Sequence, residues 1–159
     1  MATRIVKDLG TFDPDMKLAG GAYLFEIREA SFDTFANSGR DCLVLEGELV
    51  EGPEQPSGIE VAGRKQTVKM GFPKPDDKPT TKNMMGGRIR RLLEAVGDFD
   101  NVESGQVDTT KLDGQVICIV FKDRKDSNFL DADKFLPASD YVPSVGGSGS
   151  GSDAGSSLY

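Results

Sequence analysis

The chain of 159 residues carries 19 lysine and arginine side chains against 26 aspartate and glutamate side chains, a formal charge of −7, and has no histidine. The acidic excess disfavours a simple basic groove for duplex nucleic acid, because affinity for a duplex depends largely on cations that neutralise phosphates. The absence of histidine excludes Ser-His-Asp, Cys-His and zinc–histidine catalytic schemes. We therefore expect no enzyme.

The length predicts one domain with appendages. No run approaches the roughly 18 apolar residues of a membrane span, and residues 1–8 lack the apolar core of a signal peptide. We expect a cytoplasmic protein with no membrane partner. Cys42 and Cys118 each lie within an apolar run, which predicts buried, reduced thiols rather than a disulfide or a metal site.

Three strands are predicted in the first half of the chain. Residues 22–32 alternate apolar and polar side chains, residues 41–50 follow as a second strand, and residues 64–72 form a shorter third strand with interleaved basic side chains. The first two are expected to pair antiparallel. Residues 1–20 are predicted as an irregular lead-in, and residues 51–58 as an exposed loop.

One amphipathic helix is predicted, over residues 80–97. Its apolar side chains fall on one face of a 3.6-residue period, and they are Met85, Ile89, Leu92, Leu93 and Val96. Two glycines inside a helix cost roughly 1–2 kcal/mol relative to alanine, so Gly86 and Gly87 favour a late helix start near Gly87. The alternative is close packing of another backbone at this point.

The opposite face of the helix carries Arg88, Arg90 and Arg91, the densest basic patch in the chain. These arginines are interpreted as the solvent face of the helix. The alternatives are a second contact to phosphate and a surface for protein docking.

The second half of the chain predicts two further strands. Residues 98–112 are interpreted as a loop, residues 114–121 as a buried central strand because they are almost continuously apolar, and residues 128–136 as its partner. From residue 137 to residue 159 the composition becomes rich in glycine and serine, which predicts a flexible tail. The expected divisions are a lead-in at 1–20, a domain at 21–136 and a tail at 137–159.

The order of three strands, one helix and two strands predicts a mainly β fold, namely a five-stranded OB-fold Greek-key barrel with the helix as a plug at one end. In that fold the second and third strands form the binding face, together with the loops that join strands one to two and four to five.

Four motifs carry a resemblance to a known family: residues 21–27 (GAYLFEI), 38–45 (SGRDCLVL), 92–97 (LLEAVG) and 112–115 (LDGQ). Over residues 20–136 the chain resembles a bacteriophage family, long described as a domain of unknown function, of OB-fold single-stranded-DNA-binding proteins from replication and recombination modules. The resemblance implies single-stranded DNA as partner, the host-cell cytoplasm as location, and no catalytic residues.

The tail differs from the strongly acidic tip that better-studied single-strand binders use to recruit partners. Within residues 137–159 the only acids are Asp140 and Asp153. Recruitment of replication or recombination proteins through the tail is left open, as is a docking role for its tip, Leu158 and Tyr159. Assembly of the chain into a homo-oligomer is also left open.

A sequence-tolerant site for single strands needs aromatic rings on which bases stack, beside cations that follow the backbone. Three clusters supply such residues: Arg64, Lys65, Lys69, Phe72 and Lys74 around the third strand, Phe32, Phe35 and Arg40 around the first hairpin, and Lys122, Arg124 and Lys125 in the hairpin between strands four and five. We expect them to converge on one groove. The alternatives are core or edge packing for the aromatic rings and an ordinary solvated hairpin for residues 122–125.

Neither Asp76 with Asp77 nor Asp131 with Asp133 has the spacing of a calcium loop, and no glycine-rich phosphate cradle is present. We expect no metal and no cofactor. The leading hypothesis is a single-stranded-DNA-binding protein of phage replication or recombination. The alternative is an OB-like protein-interaction module that binds a phage or host protein, which the net negative charge favours.

Overall fold

The computed structural model describes residues 2–11, 18–55, 58–123 and 130–143. Five strands are present: β1 (Gly21–Thr34), β2 (Asp41–Glu51), β3 (Lys65–Gly71), β4 (Val116–Asp123) and β5 (Leu130–Pro137). Three helices join β3 to β4: α1 (Pro79–Ala95), α2 (Phe99–Ser104) and α3 (Thr109–Leu112). Within the described ranges, no helix has the length and apolar character needed to cross a bilayer.

The strands form one antiparallel sheet in the order β3-β2-β1-β4-β5. The prediction of a mainly β fold with five strands is confirmed, as are the pairings of β1 with β2 and of β4 with β5. The long strand β1 is central: its register with β4 runs from Gly21 to Glu26, and its register with β2 runs from Leu24 to Thr34. The sheet is open, with β3 and β5 at its edges, and its closure into a barrel stays a prediction.

A bulge at Arg28 lies near the point where β1 leaves β4. The chain entering β4 supports this bulge. Ile27 N–H donates to Gln115 O (2.8 Å), Gly114 N–H donates to Ile27 O (2.7 Å), and Ala30 N–H donates to Asp113 Oδ1 (2.7 Å). These bonds satisfy backbone groups of β1 that lie beyond the end of its register with β4. The LDGQ motif at residues 112–115 therefore has a structural role in this sheet.

The hydrophobic core lies between one face of the sheet and the helices. Its fully buried members include Tyr23, Phe25, Ile27, Leu43, Leu45, Leu49, Leu92, Leu112, Ile117 and Ile119. Cys42 and Cys118 are buried and free of disulfides, as the sequence predicted. Burial raises the pKa of the Cys118 thiol to about 11, so this thiol stays protonated and unreactive at neutral pH.

The late start predicted for the helix is wrong, because α1 begins at Pro79. Proline suits the first turn of a helix, where its missing N–H has no acceptor to lose and its fixed φ is already helical. The alternative of close backbone packing is also wrong. A Cβ added at Gly86 would meet only the Pro73 side chain, at 3.8 Å, and one added at Gly87 would meet nothing within 4 Å.

Alanine at Gly86 or Gly87 is therefore expected to raise the free energy of unfolding by about 0.8–1 kcal/mol in each case, since alanine loses less backbone entropy in a helix. Urea denaturation followed by circular dichroism measures this change. Gly97→Ala is the control: its φ of +77° lies in the left-handed region, so alanine there should lower the stability. A loss of stability at both helical positions would contradict the prediction.

The predicted loop at residues 98–112 contains α2 and α3, so that prediction is wrong. Both helices are stabilised by aspartates at their starts: Asn101 Nδ2 donates to Asp98 Oδ2 (2.7 Å), and Thr110 N–H donates to Asp108 Oδ1 (3.0 Å). Helices of six and four residues are too short to show a 3.6-residue period. The capping aspartate before Thr109 was the usable signal.

The loop after β2 was predicted to be exposed, yet Gln55 is only 4% exposed. Its Nε2 donates to the Tyr23 hydroxyl (2.9 Å) and to Pro53 O (2.8 Å), and its Oε1 accepts from Ala19 N–H (2.7 Å). The Tyr23 hydroxyl donates in turn to Ala19 O. This network fixes residues 18–20, the end of the predicted lead-in, against β1.

At the other end of the domain, Ala138–Asp140 forms a short 3₁₀ turn and Tyr141 follows. Burial, with Glu51 and Cys118 nearby, raises the pKa of Tyr141 to about 12. The start of the predicted tail therefore packs on the sheet. Residues 144–159, with the tip at Leu158 and Tyr159, lie outside the described residues, as do residues 12–17 of the lead-in.

Candidate nucleic-acid interface

Phe32 and Phe72 form an aromatic pair at one end of the sheet. Phe32 lies near the end of β1, opposite Leu43, and Phe72 directly follows β3, where its N–H donates to Asp41 O (2.9 Å). The ring centroids are 5.8 Å apart with an interplanar angle of 52°, a favourable separation for aromatic rings. Phe32 is 57% exposed, whereas Phe72 is half-buried against the core. In this pair the half-buried ring of Phe72 supports the solvent-facing ring of Phe32.

A depression of about 430 Å³ lies at this pair and is lined by Phe32, Asp33, Thr34, Asp41 and Phe72. Two of its five lining residues are carboxylates, so phosphate would be repelled from it. A neutral base could occupy it, because a base brings no charge and has a face that stacks on a ring. Any phosphate contact must lie outside this depression.

Arg40 fixes the position of this end of the sheet. Its guanidinium donates to both oxygens of Asp77 (2.8 Å each) and to Phe72 O (2.8 Å). Such a bidentate pair has a defined geometry, and here it joins the β1–β2 turn to the loop after β3. Arg40 was predicted to contact nucleic acid. In this arrangement its guanidinium makes three hydrogen bonds within the protein, and it acts as a positioning residue for Phe72.

Phe35 lies in the same turn and is half-buried. Its N–H donates to Arg40 O (2.9 Å), and its carbonyl accepts from Gly39 N–H (2.8 Å). A Cβ added at Gly71 would lie 3.5 Å from Phe35 Cε2, so the ring packs over the end of β3. The packing alternative therefore fits Phe35 better than it fits Phe32.

The cations predicted around the third strand follow β3 and the loop after it. Arg64, Lys65, Lys69 and Lys74 are exposed, and none of them forms an ion pair within the described part of the chain. The backbone of Lys74 is held near the aromatic pair because its N–H donates to Asp77 Oδ2 (2.6 Å). Lysine on an edge strand also hinders aggregation, which is the alternative role for Lys65 and Lys69.

Acidic neighbours divide β3 into two parts. Lys65 lies opposite Glu48, and Thr67 lies opposite Glu46, which in turn lies opposite Glu29 on β1. By contrast, Lys69 lies opposite Val44. Phosphate is therefore attracted less strongly near the start of β3, where these carboxylates offset the charge of Lys65, than near its end.

The candidate interface narrows to Phe32, Phe72, Lys69 and Lys74. Phe32 lies opposite Leu43, which lies opposite Met70, so the rings share the Met70 face of the sheet, whereas Lys69 lies on the other face of the edge strand. A single strand stacked on the rings would reach Lys69 only by passing around the edge of β3.

The third predicted cluster is placed differently. Lys122 Nζ lies 3.6 Å from Asp133 Oδ1. Its neighbour Phe121 is opposite Gly21, eleven residues before Phe32 along β1, which is about 36 Å of extended strand. The strand register alone does not bring Lys122 to the aromatic pair. Arg124 and Lys125 lie outside the described residues, so convergence of this cluster stays a prediction.

The arginines of α1 have partners within the protein. Arg88 donates to Ala132 O and so ties α1 to β5, while Arg90 and Arg91 each lie 3.2 Å from a carboxylate oxygen of Glu94. The groove between α1 and β5 measures about 710 Å³. Arg90 and Arg91 are exposed, which agrees with their interpretation as the solvent face of the helix, whereas Arg88 is half-buried against β5.

The Arg40–Asp77 pair predicts a pH dependence of stability. The guanidinium bonds hold the pKa of the Asp77 carboxyl well below its ordinary value of 3.8. A carboxyl whose pKa is lower in the folded state contributes stability that is complete above the unfolded pKa and is lost as the pH falls below it. Asp77→Asn should therefore lower Tm at about pH 7, and the gap from wild type should narrow between about pH 4 and about pH 2.

Thermal unfolding at several pH values measures this gap. Glu94→Gln removes the carboxylate that pairs with the exposed Arg90 and Arg91 and serves as the control, because ion pairs at the surface contribute little. It should leave Tm nearly unchanged throughout. A gap for Asp77→Asn that stays constant down to about pH 2 would show that the carboxylate charge is not the stabilising feature.

No protein-family model matches the chain, and a search of curated proteins gives no match. The resemblance to phage single-strand binders therefore stays a prediction. What the structure defines is the class of fold, a mainly β protein with an open, five-stranded antiparallel sheet.

Proposed function

We propose that this protein binds single-stranded DNA with little sequence specificity, stacking bases on Phe32 and Phe72 while Lys69 and Lys74 contact phosphates. The observation that carries the proposal is an aromatic pair with one exposed ring, Phe32, at the end of the sheet from which the chain continues to Lys74, a cation with no ion pair in the described part of the chain. Every base has a face that can stack, so such a site tolerates all sequences. In a phage, such a protein would coat single strands during replication or recombination.

We also propose that the sheet belongs to an OB-fold Greek-key barrel. The strand order, the sharing of β1 between β2 and β4, and the bulge at Arg28 support this proposal, because a bulge increases the local bend of a strand. Such a barrel is partly open, so β3 and β5 remain at its edges, with α1 as the plug at one end. In that fold the second and third strands carry the ligand, which is where Lys69 lies.

The charge of the protein limits the strength of this binding. With a net charge of −7, long-range attraction to DNA is absent and only local cations contribute. If two or three lysines neutralise phosphates, the logarithm of the binding constant should fall with the logarithm of the salt concentration with a slope of about −1.4 to −2.1. A protein with a continuous basic groove would show a steeper slope.

Fluorescence anisotropy of labelled oligo-dT, titrated at several salt concentrations, tests the proposal. We expect saturable binding in low salt with the slope given above. Lys69→Ala combined with Lys74→Ala should make the slope shallower by about 1.4. Lys82→Ala, an exposed lysine on α1, should leave it unchanged. Absence of binding at micromolar protein in low salt would overturn the proposal.

A further inference from the structure

The outer edge of β3 is an unpaired β-strand edge. On the inner side, Phe72 N–H donates to Asp41 O and Leu49 N–H donates to Arg64 O, so even-numbered residues of β3 bond to β2. Because backbone groups alternate along an antiparallel strand, the odd-numbered residues 65–71 direct their N–H and C=O groups away from β2. No backbone bond joins these groups to any other described segment.

The opposite edge of the sheet differs from β3. There α1 packs along β5, and Arg88 donates to Ala132 O. Proteins commonly cover an edge in this way to prevent unwanted pairing. Among the described strands, β3 is the edge that keeps its backbone groups available.

The side chains of β3 determine which side chains would be favourable on a sixth strand paired with it. Lys65 and Lys69 are exposed on one face, about 13 Å apart along the strand, whereas Val68 and Met70 are buried on the other face. A neighbouring strand therefore meets positive charge on one face and apolar side chains on the other. Acidic residues alternating with apolar residues match that pattern.

A second copy of this chain does not match it. Two β3 strands paired antiparallel about Thr67 would place Lys65 of each copy opposite Lys69 of the other. Like charges directly opposite each other destabilise a strand pair. The lysines thus disfavour self-association in that register while attracting acidic chains.

We propose that the outer edge of β3 binds an extended segment of another protein, in which acidic and apolar residues alternate, as a sixth strand of the sheet. Backbone hydrogen bonds to residues 65, 67 and 69 supply the affinity, and the two lysines select acidic residues. This mode of recognition is strand addition. It does not depend on whether the protein binds DNA.

The first test uses the wild-type protein and a fluorescein-labelled heptapeptide of alternating glutamate and valine. Two control peptides share its charge. In one, the glutamates are grouped at one end. In the other, the amides that would face β3 are N-methylated. We expect saturable binding of the alternating peptide, and binding at least about fivefold weaker for either control, since each control lacks a feature of the paired strand. Equal binding of the N-methylated peptide, or no binding of the alternating peptide, would overturn the proposal.

The second test replaces Thr67 with proline. Proline is tolerated on an edge strand where its nitrogen faces solvent, so the fold should persist, as circular dichroism would verify. Thr67→Pro should weaken peptide binding at least about fivefold through the lost N–H, whereas Thr67→Ser should not weaken it. Oligo-dT affinity should be the same for both variants. Unchanged peptide binding by a folded Thr67→Pro protein would overturn the proposal. If that variant does not fold, the comparison of the alternating peptide with its N-methylated form, made on the wild-type protein, tests the backbone hydrogen bonds instead.

Discussion

Replacing Phe32 with alanine is expected to weaken the binding of oligo-dT by about 5- to 150-fold, because the loss of a stacking ring costs about 1–3 kcal/mol per base. Phe32 is the ring of the pair that faces solvent, so its removal should cost little stability. Fluorescence anisotropy gives the affinity, and urea denaturation gives the free energy of unfolding for the same samples.

The chain offers a matched control for this substitution. Phe99 at the start of α2 is 59% exposed, almost the same as Phe32 at 57%, but it lies at the groove between α1 and β5. Phe99→Ala should leave oligo-dT affinity unchanged. Equal affinities for Phe32→Ala and wild type would contradict the stacking role, and equal losses for both variants would show that exposed apolar area alone drives binding.

Phe72→Ala and Lys69→Ala separate the two parts of the interface. Phe72 also packs against the core, so its removal should reduce both affinity and stability. Lys69 is exposed and has no ion pair within the described residues, so its removal should reduce affinity and the salt slope only. A protein that lacks both side chains but keeps full affinity would place the DNA elsewhere on the surface.

The strands were predictable because each signal is local. Alternation with period two identified β1 and β2, and a continuous apolar run identified β4. The start of α1, the helices α2 and α3, and the burial of Gln55 were missed. The start of α1 was missed because Gly86 and Gly87 favoured a later one. The helices α2 and α3 are too short to show a period, and Gln55 is buried by contacts with residues far along the chain, such as Ala19.

The candidate site, like the fold, was predictable only where the signal is local. The types of residue that bind single strands were identifiable from composition. Only parts of two predicted clusters lie at one end of the sheet, because Arg64 and Lys65 lie at the other end of β3. The Arg40–Asp77 pair was not predictable, because its members are 37 residues apart and neither belongs to a recognisable motif. Asp77 was weighed only as a metal ligand, whereas in the structure it fixes Arg40 and the backbone of Lys74.

Gly47 interrupts the apolar residues of β2, between Leu45 and Leu49, and the structure shows why glycine is required at this position. It lies opposite Ile27, beside the bulge at Arg28. A Cβ at this position would overlap the carbonyl oxygen of Glu26 and lie 2.8 Å from Phe25 Cζ. Phe25 is fully buried and β1 is the central strand, so neither neighbour has room to move.

Gly47→Ala is accordingly expected to lower the free energy of unfolding by about 3 kcal/mol or more, a cost at the upper end for overpacking. Strand propensity alone predicts the opposite sign, because alanine loses less entropy than glycine in a strand. The sign of the change measured by urea denaturation therefore shows whether overlap or backbone entropy dominates. Gly87→Ala is the control: the site has space for the added methyl group, so this substitution should raise the free energy of unfolding. If Gly47→Ala were neutral or stabilising, the bulge at Arg28 would have to yield, and the close approach of β2 to β1 would not be the reason for glycine at this position.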